Sequence, residues 1–320
     1  MNSKILEILI ITFLCLGVSV GLRLLSMNYL IYILILIVLW AYLGQCWNIC
    51  YGYAGLLSFG HAAFFGIGAY VSTLLLLGFG LSPWIGMLIG GSFASLLGLV
   101  IGIPTIKLRG AYFALSTIAI AEMVRLLVLK LDFITNGALG LLLPPTLSPL
   151  DFFFKDIFQW FLVALAMLVV LWIISYKLEK SKLGIALRAL KENEIAAASL
   201  GIYPLKYKIL ALMISAFFTA IGGVFFAQYV GYIRPDIVLV STLSDEILIV
   251  SILGGVGTLT GSFIGASIFI MLRESFRAFF GASVMGSYLI FYGALTIVVV
   301  MFLPEGIYSG LKKLFRILKT

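Results

Sequence analysis

The chain has a single histidine, His61, three positions after Ser58, and a Ser/His pair is where nucleophilic chemistry would be sought first. Such a pair works when nucleophile and base come from facing elements, with oxyanion donors and a third group to orient the ring. On one helix, residues three apart stand side by side and point outward. No carboxylate lies near them in the sequence. The spacing favours a hydrogen-bonding histidine at a helix end, or one on a solute pathway, over an intramembrane hydrolase.

Glu122 and Arg125 are also three apart, inside an apolar run, and can pair on one helix face. Ionised groups in a bilayer are costly and mark function by default. Arg125 is also close enough to Lys130 to snorkel from the end of a span, and both readings stay open. Asp245 and Glu246 open a short apolar run, either as acids favoured by a helix start or as an acidic outer lip. Cys46 and Cys50 share a helix face, but one histidine in the chain gives no metal set. With Cys15 they read as small core residues. No phosphate-binding GxxxxGK[ST] loop is present, so any ATP-driven step requires another chain.

Two glycine-rich stretches must position this chemistry. Tyr51 to Tyr70 reads YGYAGLLSFGHAAFFGIGAY, with Gly55, Ser58, Gly60, His61 and Gly66. Leu253 to Ala266 reads LGGVGTLTGSFIGA, with Gly254, Gly255, Gly257 and Gly261. Broken helices are tolerated in a membrane where they line a cavity, and paired interruptions often mark a transport path. Small residues also serve close helix packing. These glycines, with Ser58, His61, Glu122 and Arg125, are the pathway candidates.

Of the 320 residues, 63% are hydrophobic and 11% charged, which excludes a water-soluble domain. Continuous apolar runs, without the alternation of barrel strands, make this an all-α polytopic membrane protein. The runs are 5–24, 27–50, 60–79, 82–103, 110–130, 157–178, 208–232, 243–256, 260–277 and 282–303, about ten transmembrane helices, some of them glycine-interrupted. The first is read as a retained span rather than a cleaved signal. Basic residues set the sidedness. Lys4, Lys107, Arg109, the 177–208 insert and Lys312, Lys313, Arg316 and Lys319 fall on one side. Arg23, Lys130, Lys155, Arg234, Arg273 and Arg277 fall on the other. The bias puts both termini in the cytoplasm. Residues 1–320 read as one transmembrane domain, with 131–156 an external loop punctuated by Pro144, Pro145 and Pro149. Beyond Glu122 and Arg125 the spans offer no paired charges of the kind an ion-coupled transporter needs.

The insert KLEKSKLGIALRALKENEIAAASLGIYPLKYK (177–208) carries Lys177, Lys180, Lys182, Arg188, Lys191, Lys206 and Lys208 against Glu179, Glu192 and Glu194. Within it Asn193 is a candidate N-cap, Gly201 a C′ residue and Pro204 a stop. Glu194 to Leu200 then form about two helical turns, roughly 10 Å long. Ile195, Ala198 and Ser199 share a face, and Ala196, Ala197 and Ala198 let a partner approach closely. A helix lying on lipid is the alternative.

With these features in place, the chain resembles the permease subunits of ABC importers for branched-chain amino acids, the LivM-like family. The resemblance covers nearly the whole chain. It rests on six blocks in order: GYAGLLSFGHAAFFGIGAY (52–70), KLRGAYFALSTIAIAEM (107–123), TNGALGL (135–141), GIALRALKENEIAAASLGI (184–202), ILGGVGTLTGSFIGA (252–266) and PEGIYSGL (304–311). It implies a non-enzymatic transport subunit without a cofactor of its own. It further implies a second permease, two cytoplasmic ATPases that bind the ATP, an external binding protein, and the inner membrane of a prokaryote. The segment 177–208 becomes the cytoplasmic coupling segment, with Arg188, Glu192, Glu194, Ile195, Ala196, Ala197, Ala198, Leu200 and Gly201 as residues that meet an ATPase. The usual Glu-Ala-Ala spacing is stretched here to Glu194-Ile195-Ala196-Ala197. Urea or short-amide import by the same kind of permease is the alternative substrate class.

Overall fold

The computed structural model describes residues 3–108, 110–144 and 152–280, with 293, 294, 297, 301 and 306–308. The apolar run 282–303 falls almost entirely outside these residues. So do Arg109, Pro145, Pro149, the basic C-terminal residues and most of the PEGIYSGL block.

In chain order the helices are α1 (Ser3–Leu24), α2 (Asn28–Asn48), α3 (His61–Phe79), α4 (Pro83–Thr105), α5 (Ala111–Lys130) and the short α6 (Asp132–Thr135). They continue with α7 (Ile157–Lys180), α8 (Lys182–Glu192), α9 (Glu194–Ser199), α10 (Pro204–Val230), α11 (Pro235–Val238), α12 (Ser241–Gly254) and α13 (Gly261–Phe280). A π-turn at Ile49–Tyr53 extends α2. Among the described residues, eight helical stretches are long and apolar enough to cross a membrane: Lys4–Leu24, Asn28–Tyr53, His61–Phe79, Pro83–Thr105, Ala111–Lys130, Ile157–Lys180, Pro204–Val230 and Pro235–Gly254. The protein is a multi-pass helical membrane protein.

Local chemistry explains where elements begin and end. Pro204 begins α10 rather than merely ending what precedes it, because proline at the first helical position sacrifices no internal bond. That moves the helix start a turn ahead of the apolar run. Asp245 and Glu246 do not open their helix. α12 starts at Ser241, so its first turn holds no acid and the helix-start reading fails. The segment after α5 is not unstructured: Leu141–Leu142 (β1) pairs antiparallel with Tyr232–Ile233 (β2). The Tyr232 hydroxyl donates to the Leu139 carbonyl at 2.6 Å. Phe152 is 1% exposed and sits 4.4 Å, centroid to centroid, from Trp84.

The chain divides into two compact units. One draws on Met1–Asn48, Asp156–Tyr176 and Leu248–Thr320. In it α13 packs along α2, and a side chain at Gly265 would run into the Val250 carbonyl. Arg23, at the end of α1, pairs with Asp156 at 2.7 Å, which sets the end of α1 beside the start of α7.

The other unit is Ile49–Lys155 with Lys177–Ile247. Its core is the trio α3, α4 and α10. Small residues let these helices touch backbone to backbone: a side chain at Gly223 would collide with the Phe65 carbonyl, and one at Gly68 with that of Ala220. In lipid, where no hydrophobic force drives helix against helix, such close van der Waals approach is what holds spans together.

Candidate functional site: two helix breaks and a capped cytoplasmic helix

The first glycine stretch is a true interruption. After the π-turn the chain is non-helical until α3 begins at His61. Gly55 turns it with φ +71°, a left-handed conformation that favours glycine. The backbone donors freed by the break find partners. Phe59 N–H donates to Thr117 Oγ1 at 3.0 Å, and Gly60 N–H donates to Ser58 Oγ at 3.2 Å. At the head of α3, Ala62 N–H donates to Ser244 Oγ at 2.8 Å.

Ser58 is therefore not one turn away from His61 on a shared helix; it lies in the break. His61 is fully buried, and its Nε2 lies 2.8 Å from Ser215 Oγ on α10. This ties the beginning of α3 to the middle of α10. Gly66, one turn further along, packs on Leu239, which a side chain there would displace.

Glu122 and Arg125 do pair. Arg125 Nε donates to both Glu122 oxygens at 3.0 Å, and its Nη1 reaches Asp236 Oδ1 on α11 at 3.0 Å. Asp236 is a partner the sequence did not suggest. The side chains are 24% (Arg125), 43% (Glu122) and 55% (Asp236) exposed, so the triad ties α5 to α11 at the surface of this unit rather than in its core.

The second break belongs to the other unit. Gly255 and Gly257 take φ of +121° and +79°, and α13 restarts at Gly261. Gly254 and Gly261 meet closely enough that a side chain on either would strike the other's backbone. A carboxamide ties the loop between them to α2: Asn48 Nδ2 donates to the Thr258 carbonyl at 2.6 Å, and Asn48 Oδ1 accepts from Gly257 N–H at 2.7 Å. Asn48 is 2% exposed. Sequence reading passed over it because nothing local marks it; its position as the last residue of α2 before the first break was the available signal.

A buried carboxylate also escaped the sequence reading. Glu274 on α13 is 5% exposed and lies 3.5 Å from Arg273 and 3.9 Å from Arg277. The Arg273 guanidinium stacks over the Trp40 ring at 4.8 Å. Reading Arg273 and Arg277 only as topology signals hid the carboxylate between them.

The 177–208 insert folds as two helices. Ser181 caps α8, its Oγ accepting from Gly184 N–H at 3.2 Å. α8 buries Ala186, Leu187 and Leu190. Arg188 leaves this surface to hold Glu179, donating to its carbonyl at 2.7 Å, and Glu192 ends the helix exposed. Asn193 then caps α9, its Oδ1 accepting from Ala196 N–H at 3.0 Å. The other end closes with Gly201 at φ +84°, Gly201 N–H to the Ala198 carbonyl at 2.9 Å and Ile202 N–H to the Ala197 carbonyl at 3.1 Å. This is the Schellman arrangement. Ala197 is buried, while Ala196 and Ala198 are exposed. Ile195 is 70% and Leu200 83% exposed.

Two lysines that the sequence reading treated only as charge fix this helix pair in place. Lys208 Nζ is 2.8 Å from Glu194 Oε2, with the lysine side chain 11% exposed. Lys191 Nζ donates to the Gly52 carbonyl at 2.9 Å, joining α8 to the start of the first break. Partial burial holds the Lys191 ammonium below the usual lysine range, and neighbouring Glu192 opposes that shift.

The chain is thus a multi-pass helical membrane protein with two interrupted helices and a capped helix pair tied to the first interruption. Residues 29–300 match the family described as branched-chain amino acid transport system / permease component, and the chain belongs to that family. It is 32% identical over 288 residues to the high-affinity branched-chain amino acid transport system permease protein LivM of Escherichia coli K12, covering 83% of this chain and 66% of the relative. The Salmonella typhimurium LivM is 31% identical over the same coverage. The probable branched-chain amino acid transport permease protein LivH of Methanocaldococcus jannaschii is 28% identical over 79% of this chain and 84% of its own length. The chain thus spans just under two thirds of the LivM relatives. No solved structure matches it.

Proposed function

We propose that the chain is the transmembrane permease subunit of an ATP-driven importer of branched-chain or similar hydrophobic amino acids. It works with a second permease, two cytoplasmic ATPases and an external binding protein, in the inner membrane of a prokaryote. Residues 1–320 act as one permease of about ten spans with both termini cytoplasmic, in line with the positive-inside rule. The chain itself is not an enzyme; ATP is hydrolysed by the partner subunits.

The observation that carries this reading is α9. It is a six-residue helix capped at both ends, braced by Lys208, and it presents Ile195 and Leu200 to solvent. An isolated helix of that length is unstable in water. Capping and bracing of this kind suit a helix that must keep its shape while it is pushed. From α9 the push has a continuous route within one unit: through α8 and Lys191 to the Gly52 carbonyl, along the first break, to His61 and Ser215 on α10. Gly55, Ser58 and Gly60 form the flexible part of that route, and Gly66 anchors α3 beyond it. The second break, Gly254 to Gly261, is the corresponding element of the other unit. The relatives' names favour branched-chain amino acids over urea or short amides.

The test is cross-linking from a cysteine at Ile195 or Leu200 to a co-purified ATPase, alongside ATP-driven leucine uptake. Ala197→Pro removes the Ala197 N–H bond to the Asn193 carbonyl and kinks the helix, so uptake should fall to background while the chain still inserts. Uptake that runs on an ion gradient without ATP would overturn the importer reading.

A further inference from the structure

A cleft of about 270 Å³ opens beside α9, between the first break and the α8–α9 pair. Its walls divide by chemistry. Leu57, Phe113 and Leu190 form an apolar side, while Lys191, Glu194 and Lys208 supply two ammonium groups and one carboxylate. Glu194 and Lys208 hold each other. Lys191 is bonded to a neutral backbone carbonyl at Gly52 and lies 5.9 Å from the Tyr51 ring centroid. Among the described lining residues there is therefore one more ammonium than carboxylate, on a partly buried lysine, and the Glu194 carboxylate on the same wall has lone pairs to spare.

We infer that this cleft is a cytoplasmic-side regulatory site for an apolar α-amino acid. The ligand's carboxylate meets Lys191, its ammonium shares Glu194, and its side chain lies on Leu57, Phe113 and Leu190. A ligand with one anion, one cation and an aliphatic group matches the three kinds of wall, and the volume accommodates it. The lowered proton affinity of Lys191 agrees with the placement, since an incoming carboxylate would restore the charged form that partial burial disfavours. Both polar ends of the ligand would engage the parts that join α9 to the break. Occupancy would therefore hold α9 in one position, and imported product would slow further import. The inference rests on the importer reading above.

The experiment uses the full complex in proteoliposomes with the nucleotide sites facing the bath, and binding protein and L-leucine sealed inside. ATP is added to the bath, and hydrolysis and leucine release are followed as L-leucine in the bath is raised. The wild-type rate should fall about fivefold, a typical allosteric coupling, and L-leucinamide, which lacks the carboxylate, should leave it unchanged. Each variant is judged by its own ratio of rates with and without bath leucine. Lys191→Gln and the cleft-filling Leu57→Trp should bring that ratio to one, and Lys191→Arg should keep the inhibition. A wild-type rate indifferent to bath leucine, or inhibition by leucinamide equal to that by leucine, would overturn the site and leave the importer standing. A complex that moves no leucine on ATP without bath leucine would overturn the importer reading and this inference with it.

Discussion

Replacing Asn48 with leucine tests whether a single side chain holds the second helix break. Leucine keeps the branched skeleton but removes both hydrogen bonds, the 2.6 Å donation to the Thr258 carbonyl and the 2.7 Å acceptance from Gly257 N–H. A fully buried backbone group left unpaired costs about 1–3 kcal/mol; Gly257 and Thr258 are partly buried, so the substitution should destabilise by about 2–4 kcal/mol in all. Read as thermal unfolding of the purified chain in detergent, that corresponds to a fall of about 3–6 °C in apparent melting temperature. Gln45 supplies the internal control one turn earlier on the same helix. It is fully buried, its Oε1 makes only 3.4 Å contacts to Asn48 and Ser262, and its Nε2 has no hydrogen-bond partner. Gln45→Met removes one unsatisfied donor at the expense of two long hydrogen bonds, so it should melt much closer to wild type than Asn48→Leu. Asn48→Leu melting within about 1 °C of wild type, or Gln45→Met falling as far as Asn48→Leu, would refute the argument that the Asn48 carboxamide organises the break.

The brace on α9 can be tested by a double-mutant cycle. Glu194→Gln leaves the Lys208 ammonium largely buried without its counter-charge, and should cost about 1–2 kcal/mol after allowing for the partly exposed glutamate. Adding Lys208→Met should recover part of that loss, whereas strictly additive melting shifts would show that the pair is not coupled. Gly223→Leu drives a side chain into the Phe65 carbonyl and should abolish a monodisperse peak in size-exclusion chromatography. A normal peak would mean that α3 and α10 are not in backbone contact.

Much of the framework was legible from local signals. Of the ten apolar runs, eight correspond to helices long and apolar enough to cross a membrane among the described residues, because lipid forces each crossing to satisfy its own backbone bonds. The Asn193 and Gly201 caps were readable because the bonds they make reach only a few residues along the chain. The Glu122–Arg125 pair was readable for the same reason. The misreadings also have identifiable causes. Ser58 and His61 looked like neighbours on one helix because a break and a helix start cannot be told apart by spacing alone. Arg273 and Arg277 looked like topology marks because their value as partners depends on Glu274 being buried, which no pattern of charges reveals.

By itself, then, the sequence determined a multi-pass helical membrane protein, the positions of its two glycine breaks, a short capped helix in its most charged segment, and the six blocks of its family. Only the tertiary structure decided what those elements touch: His61 on Ser215, Asn48 on Gly257 and Thr258, and Lys191 on Gly52. The physical reason is range. Caps, turns and spans are settled by interactions within a few residues. Each of these pairings instead closes a separation of more than a hundred residues, and which groups meet is fixed by how closely small residues such as Gly68 and Gly223 let the helices pack.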